Sequence, residues 1–378
     1  MTKPLRILQM APIRMGGITE LVLSLSENMD HSKIIFDYLT FVDTFEDARK
    51  RAEAFGGIVY RVDLQNIHNP IVRGLKKYYG IKKLVKENDF DVVHINTSTP
   101  YEVFVAIAAK AGGARHIIMH SHNTNYYPGQ KLIKLSYIFK KMIPRYVTSF
   151  FACSDEAALF MFPIKIIESK EYNIIKNGVD SDQYKFNKKV REEYRKRYGF
   201  ESNFVIANIG RFNVQKNHSY LIDIFKEIIQ LDSSARLLLV GVGETEAKIK
   251  EKVNQYGLQE YVTFFGLSNE VKNILQMVDV VVMPSLYEGL PVVGIEAQAA
   301  GLPILMSDVV TKEMKITDGV EYVSLEESPK TWAKHILKQK GYIRRDTSDE
   351  ISAAGFDIKS TAVYLETYYI NMCQKENN

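Results

Sequence analysis

Cysteine is scarce in this chain. It carries two, Cys153 and Cys373, far apart in sequence. No disulfide framework follows from that usage, and a reducing, cytoplasmic compartment is expected. Long apolar runs are also missing, since none reaches the roughly 20 residues that a membrane-spanning helix needs. The apolar run at residues 5–12 is short and leads into Gly16-Gly17, not into a small-residue cleavage site. A strand is expected there, and a signal peptide is not. Charge of one sign is lacking too. A net charge of +4 is too mild to imply nucleic acid as a partner, and no zinc-ligand or RNA-binding motif occurs. Internal repeats and low-complexity tracts are absent. What is present is a globular composition: 378 residues, 46% hydrophobic, enough for two sizeable cores and so for two domains.

Strand and helix patterns alternate along the first half, which argues for an α/β fold with a parallel sheet. Strands are expected at 5–11, 36–42, 58–62 and 92–95, with helices at 19–28, 48–55 and 71–88. A further apolar strand runs from Ile117 straight into His120-Ser121-His122-Asn123, and another, Phe150-Phe151-Ala152-Cys153, ends at Ser154. Ligands gather at the carboxyl ends of such strands in open α/β sheets. A metal site is conceivable from two histidines, but His120 and His122 have no carboxylate or cysteine partner at ligand spacing. The second half opens with a strand at 205–209, followed by Gly210-Arg211-Phe212-Asn213-Val214-Gln215-Lys216-Asn217 and a helix from about Ser219. Arginine offers a planar fork and lysine a point charge, a pairing suited to a diphosphate. Strands at 237–240 and 262–264 come next. Gly241-x-Gly243 lacks the third glycine of a dinucleotide fingerprint, because Glu246 stands in its place. A dehydrogenase is poorly supported.

The chain is organised around residues 284–301. Val280–Met283 reads as a buried strand; Pro291 suits the start of a helix, Gly301 its C′ position, and Pro303 blocks continuation. Glu288 falls in the loop and Glu296 inside the short helix. That helix is apolar on nearly every face, so a carboxylate on it needs a polar partner. Eight positions at helical rise span roughly 12 Å. Paired glycosidase carboxylates sit closer, at about 5–5.5 Å or about 6.5–9.5 Å. The two glutamates fit the ends of one elongated ligand, such as a nucleotide sugar. Its diphosphate would then lie near loop N–H groups and the helix N-terminus.

Glu288-Gly-Leu-Pro, then Glu296-Ala, then Ala-Ala-Gly-Leu-Pro resembles the E-x7-E element of retaining family 4 glycosyltransferases. The His-Ser-His-Asn form resembles their capsule and exopolysaccharide branch. The likeness extends over most of the chain. It implies the GT-B fold, two Rossmann-like domains facing across a cleft: an acceptor-side domain at 1–180, a nucleotide-sugar domain at 181–357 and a last helix at 358–378 that crosses back to the first domain. A simple C-terminal helix on its own domain is the alternative for that segment. The resemblance also implies roles. Arg211 and Lys216 would hold the donor diphosphate, Glu288 the transferring sugar with the backbone of Gly289 and Leu290, and Glu296 the ribose. His122 would contact the donor sugar, with His120 the alternative and Asn123 beside it. Gly16, Gly17, Ser154, Gly210, Gly241 and Pro291 would line the substrates. With Arg and Lys in place of a cation, no metal and no cofactor is expected.

The activity implied is retaining transfer of a sugar from a nucleotide diphosphate donor, expected to be a UDP-sugar, to a saccharide hydroxyl. The acceptor is expected to be polyprenyl-linked. A nucleotide-sugar epimerase of the same fold, or a non-catalytic sugar-nucleotide-binding subunit, is the alternative. Two basic, partly aromatic stretches, 73–83 and 131–142, add an expected attachment to anionic lipid at the inner membrane face.

Overall fold

The computed structural model describes residues 3–13, 16–123, 133–288 and 290–374, with the backbone alone for Ile133 and Lys134. The chain divides into two compact units. The first runs to Gly178 and resumes at Ile358; the second is Val179–Asp357.

Seven strands form the sheet of the first unit: β1 (Leu5–Met10), β2 (Ile34–Thr40), β3 (Val59–Arg61), β4 (Val92–Thr97), β5 (His116–Ser121), β6 (Ser149–Ala152) and β7 (Tyr172–Ile174). Their order is β3-β2-β1-β4-β5-β6-β7, every pair parallel. Parallel strands are covered by crossover helices on both faces, so their residues are apolar on both sides. Alternation divides them between two cores. Leu8, Met10, Val93, Ile95, Ile117 and Met119 pack with Ile81 and Val85 of the helix Pro70–Glu87 and with the helix Val103–Ala111. Ile7, Val92, Ile118 and Phe151 face the opposite way. There they meet the helix Gly17–Glu27 and the C-terminal helix Ile358–Gln374. Ile358, Ala362, Leu365 and Tyr369 recur at helical spacing and are fully buried on that face.

The second unit repeats the scheme with β8 (Phe204–Ile209), β9 (Ala235–Val240), β10 (Val262–Gly266), β11 (Val280–Met283), β12 (Ile304–Ser307) and β13 (Val320–Val323). The order is β10-β9-β8-β11-β12-β13, again all parallel. In each sheet the strand order reverses once, between β1 and β4 and between β8 and β11. At such a switch point neighbouring loops diverge and leave a crevice at the strands' carboxyl ends.

The charged segment 185–198 is helical from Lys188 to Tyr198, with Asn187 capping its start and Gly199 in the left-handed region at its end. It is not wholly on the surface. Arg195 is buried, and Arg191 and Arg195 share Asp279 while donating to the carbonyls of Met277 and its neighbours. The helix Val103–Ala111 escaped the sequence reading because it is apolar almost all round and lacks a polar stripe.

Candidate active site

In the second unit β8 and β11 lie side by side at the switch point. The loop after β8 carries Gly210 to Asn217, and the loop after β11 carries Pro284 to Pro291. Two hydrogen bonds stitch them together: Leu286 N donates to the Gln215 carbonyl at 2.8 Å, and Asn217 Nδ2 to the Pro284 carbonyl at 3.1 Å. Asn217 sits in the left-handed region, φ +53°, where asparagine is tolerated better than most residues. The stitching brings Lys216 onto Glu288, Nζ to Oε1 2.5 Å, with side chains 14% and 7% exposed. A carboxylate this buried is costly unless donors surround it. Glu288 has two more, Ser285 Oγ at 2.8 Å and Gln215 Nε2 at 3.1 Å.

The glycines beside this pair make room for backbone. The lysine stem lies over Gly210, where a Cβ would come 2.9 Å from Lys216 Cε. Gly241 has φ +136°, and a Cβ on it would stand 2.0 Å from the Gly210 carbonyl oxygen. The close approach that Gly241 permits is therefore between the loops after β8 and β9. Arg211 is not joined to Lys216 and Glu288. Its side chain is 71% exposed and pairs with Glu244 at 3.1 Å.

Glu296 lies in the buried helix Val292–Ala299 and accepts from Tyr184 Oη at 2.8 Å, the polar partner that its surroundings require. Pro291 is the residue before the first turn, and no side chain caps that end. Leu290 is half-buried against the core, and Gly301 closes the segment at φ +65°. Gly289 lies outside the described residues. His218, which sequence reading passed over, stacks on Phe212 with ring centroids 4.2 Å apart. Burial and the nearby Lys216 charge push its pKa down to about 4, and neither ring nitrogen has a hydrogen-bond partner.

At the switch point of the first unit, Gly16 precedes the helix Gly17–Glu27 with φ +153° and ψ +157°, a conformation essentially restricted to glycine. A pocket of about 250 Å³ opens at the ends of β1, β2 and β4, lined by Met10, Ala11, Leu39, Phe41, Ile95, Asn96, Glu102 and their neighbours. Glu102 is paired with Lys77 at 2.7 Å.

A polar cluster lies under the ends of β4 and β5. Side-chain alternation puts His94 and Asn96 on the same face as His120 and, past the strand end, His122. His94 Nδ1 is 2.6 Å from Tyr369 Oη, and His94 Nε2 is 3.3 Å from His120 Nδ1. His122 Nε2 is 3.0 Å from Asn96 Oδ1, and Asn96 Nδ2 donates to Gln9 Oε1 at 2.9 Å. The rings of His120 and His122 stand 4.0 Å apart. Burial holds all three imidazoles neutral, lowering His94 to about 3, His122 to about 4 and His120 well below the usual range. Nε2 of His120 and Nδ1 of His122 lack partners at hydrogen-bonding geometry, although the Ile175 backbone lies near His120 and the Asn177 side chain near His122. Gln9, His94, Asn96 and Tyr369 were missed from sequence; the shared parity of residues 94, 96, 120 and 122 in adjacent strands is the signal that could have found two of them.

Ser154 is committed locally: its Oγ accepts from Ala157 N at 3.1 Å and caps the helix Asp155–Met161. Asn123 is half-buried, and its carbonyl faces Ser121 Oγ. Among the described residues, no group of three or more His, Cys, Asp or Glu is placed to hold a metal ion. No described helix is long and apolar enough to cross a membrane.

The family described as "Glycosyltransferase Family 4" matches residues 15–183, and "Glycosyl transferases group 1" matches 190–339. A Bacillus subtilis (strain 168) protein named as glycosyltransferase EpsF is 30% identical over 372 residues, covering 96% of this chain and 95% of its own. The Escherichia coli "UDP-Gal:alpha-D-GlcNAc-diphosphoundecaprenol alpha-1,3-galactosyltransferase" is 29% identical over 63% of each chain. Anabaena HepE, solved in complex with UDP and glucose, superposes with a TM-score of 0.72 over 99% of this chain and 98% of its own, at 17% identity. That last likeness carries the fold alone: two parallel-sheet Rossmann-like units, as in the GT-B fold class that the resemblance implied. With near full-length similarity to EpsF and both halves matched, the chain is a glycosyltransferase and belongs to the group 1 and family 4 glycosyltransferases.

Proposed function

We propose that the enzyme moves a hexose from a UDP-sugar, with retention of anomeric configuration, to a hydroxyl of a lipid-linked saccharide during assembly of a surface polysaccharide. The observation that carries this reading is the Lys216–Glu288 pair at the switch point of the second sheet. Without substrate each neutralises the other. When a donor binds, Lys216 turns to its diphosphate, and Glu288 accepts from sugar hydroxyls while Ser285 and Gln215 keep it in place. Arg211 joins the diphosphate at little cost, since an exposed pair such as Arg211–Glu244 contributes only about 0–1 kcal/mol. Glu296 holds the ribose. Backbone groups of Gly210, Gly241, Leu290 and Pro291 lie along the donor, and the uncapped start of the helix Val292–Ala299 favours negative charge. In the first unit His122, with His120 behind it and Asn123 beside it, meets the transferring sugar; Gly16, Gly17 and Ser154 border it.

Catalysis here is electrostatic support of the leaving diphosphate. The bond from the anomeric carbon to the phosphate oxygen breaks as the acceptor oxygen bonds on the same face. The acceptor's proton passes to the departing phosphate, so no protein nucleophile is needed. The acceptor saccharide takes the pocket beside Asn96 and Glu102. The named donor and acceptor of the Escherichia coli relative, UDP-Gal and a diphosphoundecaprenol-linked GlcNAc, support this choice of substrate classes.

The helix Pro70–Glu87 supports a membrane-borne acceptor. Ile71, Val72, Leu75 and Tyr79 stand exposed along it, 73%, 51%, 53% and 61%, among Lys76, Lys82 and Lys83. Tyr137 and Ile138 are exposed on the helix Ile133–Tyr146 next to Lys140 and Lys141. Such faces bind anionic lipid surfaces through apolar insertion and charge. Lys131 and Leu132 of the second basic stretch lie outside the described residues. The experiment is a panel of nucleotide sugars with and without lipid-linked saccharides, read by nucleotide release. Release that requires acceptor supports transfer. Donor turnover without acceptor indicates the epimerase instead, and donor binding with no release under any condition indicates the binding subunit.

A further inference from the structure

The polar cluster of the first unit has a direction. A neutral histidine carries one ring proton, so whichever nitrogen donates, the other accepts. Asn96 Nδ2 donates to Gln9 Oε1 at 2.9 Å, and Gln9 Nε2 donates to Tyr369 Oη at 3.4 Å. The Tyr369 O–H is left to donate to His94 Nδ1 at 2.6 Å. His94 therefore holds its proton on Nε2 and gives it to His120 Nδ1 at 3.3 Å. Asn96, with its amide N–H given to Gln9, offers its carbonyl oxygen to His122 at 3.0 Å.

We propose that Asn96, oriented by Gln9 and Tyr369, is a positioning residue that fixes His122 as the Nε2–H tautomer and leaves Nδ1 as an acceptor. The inner groups of the cluster are enclosed, with Gln9 and His94 2% exposed, His120 1% and Tyr369 0%, while Asn96 and His122 are half-buried at its edge. Water therefore has little access to the inner part of the order. The titratable groups facing His122 are His120, His94 behind it and Tyr369 of the C-terminal helix, all held neutral by burial. Nδ1 of His122 lies beside Asn177, whose amide nitrogen can donate to it once that amide is turned over. A substrate replacing Asn177 must likewise bring a donor. The consequence, which rests on placing His122 at the transferring sugar, is that His122 accepts from a sugar hydroxyl and does not donate to a phosphate.

The test uses the full chain labelled with ¹⁵N-histidine, His122 being assigned by comparison with His122→Gln. The wild type should show His122 as the neutral Nε2–H tautomer at pH 7. In Asn96→Asp the carboxylate stabilises the imidazolium, so the His122 titration should rise by about one pH unit or more. The acid limb of the pH–rate profile should move with it, and kcat should fall about tenfold while the donor KM changes less. Tyr369→Phe removes the donor to His94 Nδ1 without touching Asn96, and should populate both His122 tautomers; it serves if Asn96→Asp fails to fold. An Nδ1–H tautomer in the wild type, or a His122 signal unmoved in both variants, overturns the inference. A moved titration with unchanged transfer supports the proton order and counts instead against placing His122 on the sugar.

Discussion

Replacing Lys216 by methionine keeps the stem that lies over Gly210 and deletes the charge. Glu288, with a side chain 7% exposed, is then left without its cation. Breaking a buried pair by removing one partner costs about 3–5 kcal/mol. Here Ser285 Oγ and Gln215 Nε2 still donate to the carboxylate, which should hold the loss to about 2–3 kcal/mol. For a domain of this size that corresponds to a fall in Tm of about 5–10 °C for the second unit. Glu288→Gln should cost less, because Lys216 is the more exposed partner. The double variant Lys216→Met/Glu288→Gln should recover at least about 1 kcal/mol relative to the sum of the singles. Thermal unfolding of the four proteins closes that cycle, and nucleotide release read on the same samples should fall about tenfold to a hundredfold for Lys216→Met. Arg211→Ala is the contrast: its pair with Glu244 is exposed, so stability should hardly move while transfer falls by a comparable factor. Additive stabilities within about 0.5 kcal/mol would refute the coupling, and normal donor turnover in both Lys216→Met and Arg211→Ala would refute the diphosphate site.

Glu296→Gln should weaken binding of free nucleoside diphosphate, whereas Glu288→Gln should leave it nearly normal and depress sugar transfer; equal loss of nucleotide affinity, by calorimetry, would contradict the two-ended donor. The first unit should lose stability as pH falls from about 6.5 toward 4. The unfolded chain protonates its histidines near 6.5, while His122 resists to about 4 and His94 to about 3, so the unfolded state binds more protons and stability rises with pH across that window. Each such histidine contributes a slope of up to about 1.4 kcal/mol per pH unit, measurable by urea melts at pH 7, 5.5 and 4.5; a flat profile would mean that the cluster is not buried and neutral. Co-sedimentation with anionic vesicles should be salt-sensitive and should fall in Leu75→Glu, which charges the exposed stripe of the helix Pro70–Glu87; negligible binding to anionic and neutral vesicles alike at low salt would remove the membrane claim.

Much of the second unit was legible in the sequence because its signals are local. Val280–Met283 is continuously apolar, Gly301 stops the next helix, and Glu288 and Lys216 each fall in a loop that follows an apolar strand. The tie between Lys216 and Glu288 was not legible, because it depends on which strands neighbour each other. Arg211 was read together with Lys216, yet an exposed arginine takes the nearest acid, and in the fold that is Glu244. The histidine cluster was only half visible. His120 and His122 stood out at a strand end, but Gln9 and Tyr369 meet across 360 positions of sequence, and no periodicity spans that distance. The cap that the Ser154 hydroxyl gives the helix Asp155–Met161 was not read from the sequence.

Retaining transfer from a nucleotide diphosphate sugar is read from the anomeric configuration of the first-formed product, by NMR with a UDP-α-sugar donor and a lipid-linked saccharide acceptor. The product should be α-linked, formed in step with UDP release and dependent on Lys216. A β-linked product, or UDP released without any new glycosidic bond, would contradict retaining transfer.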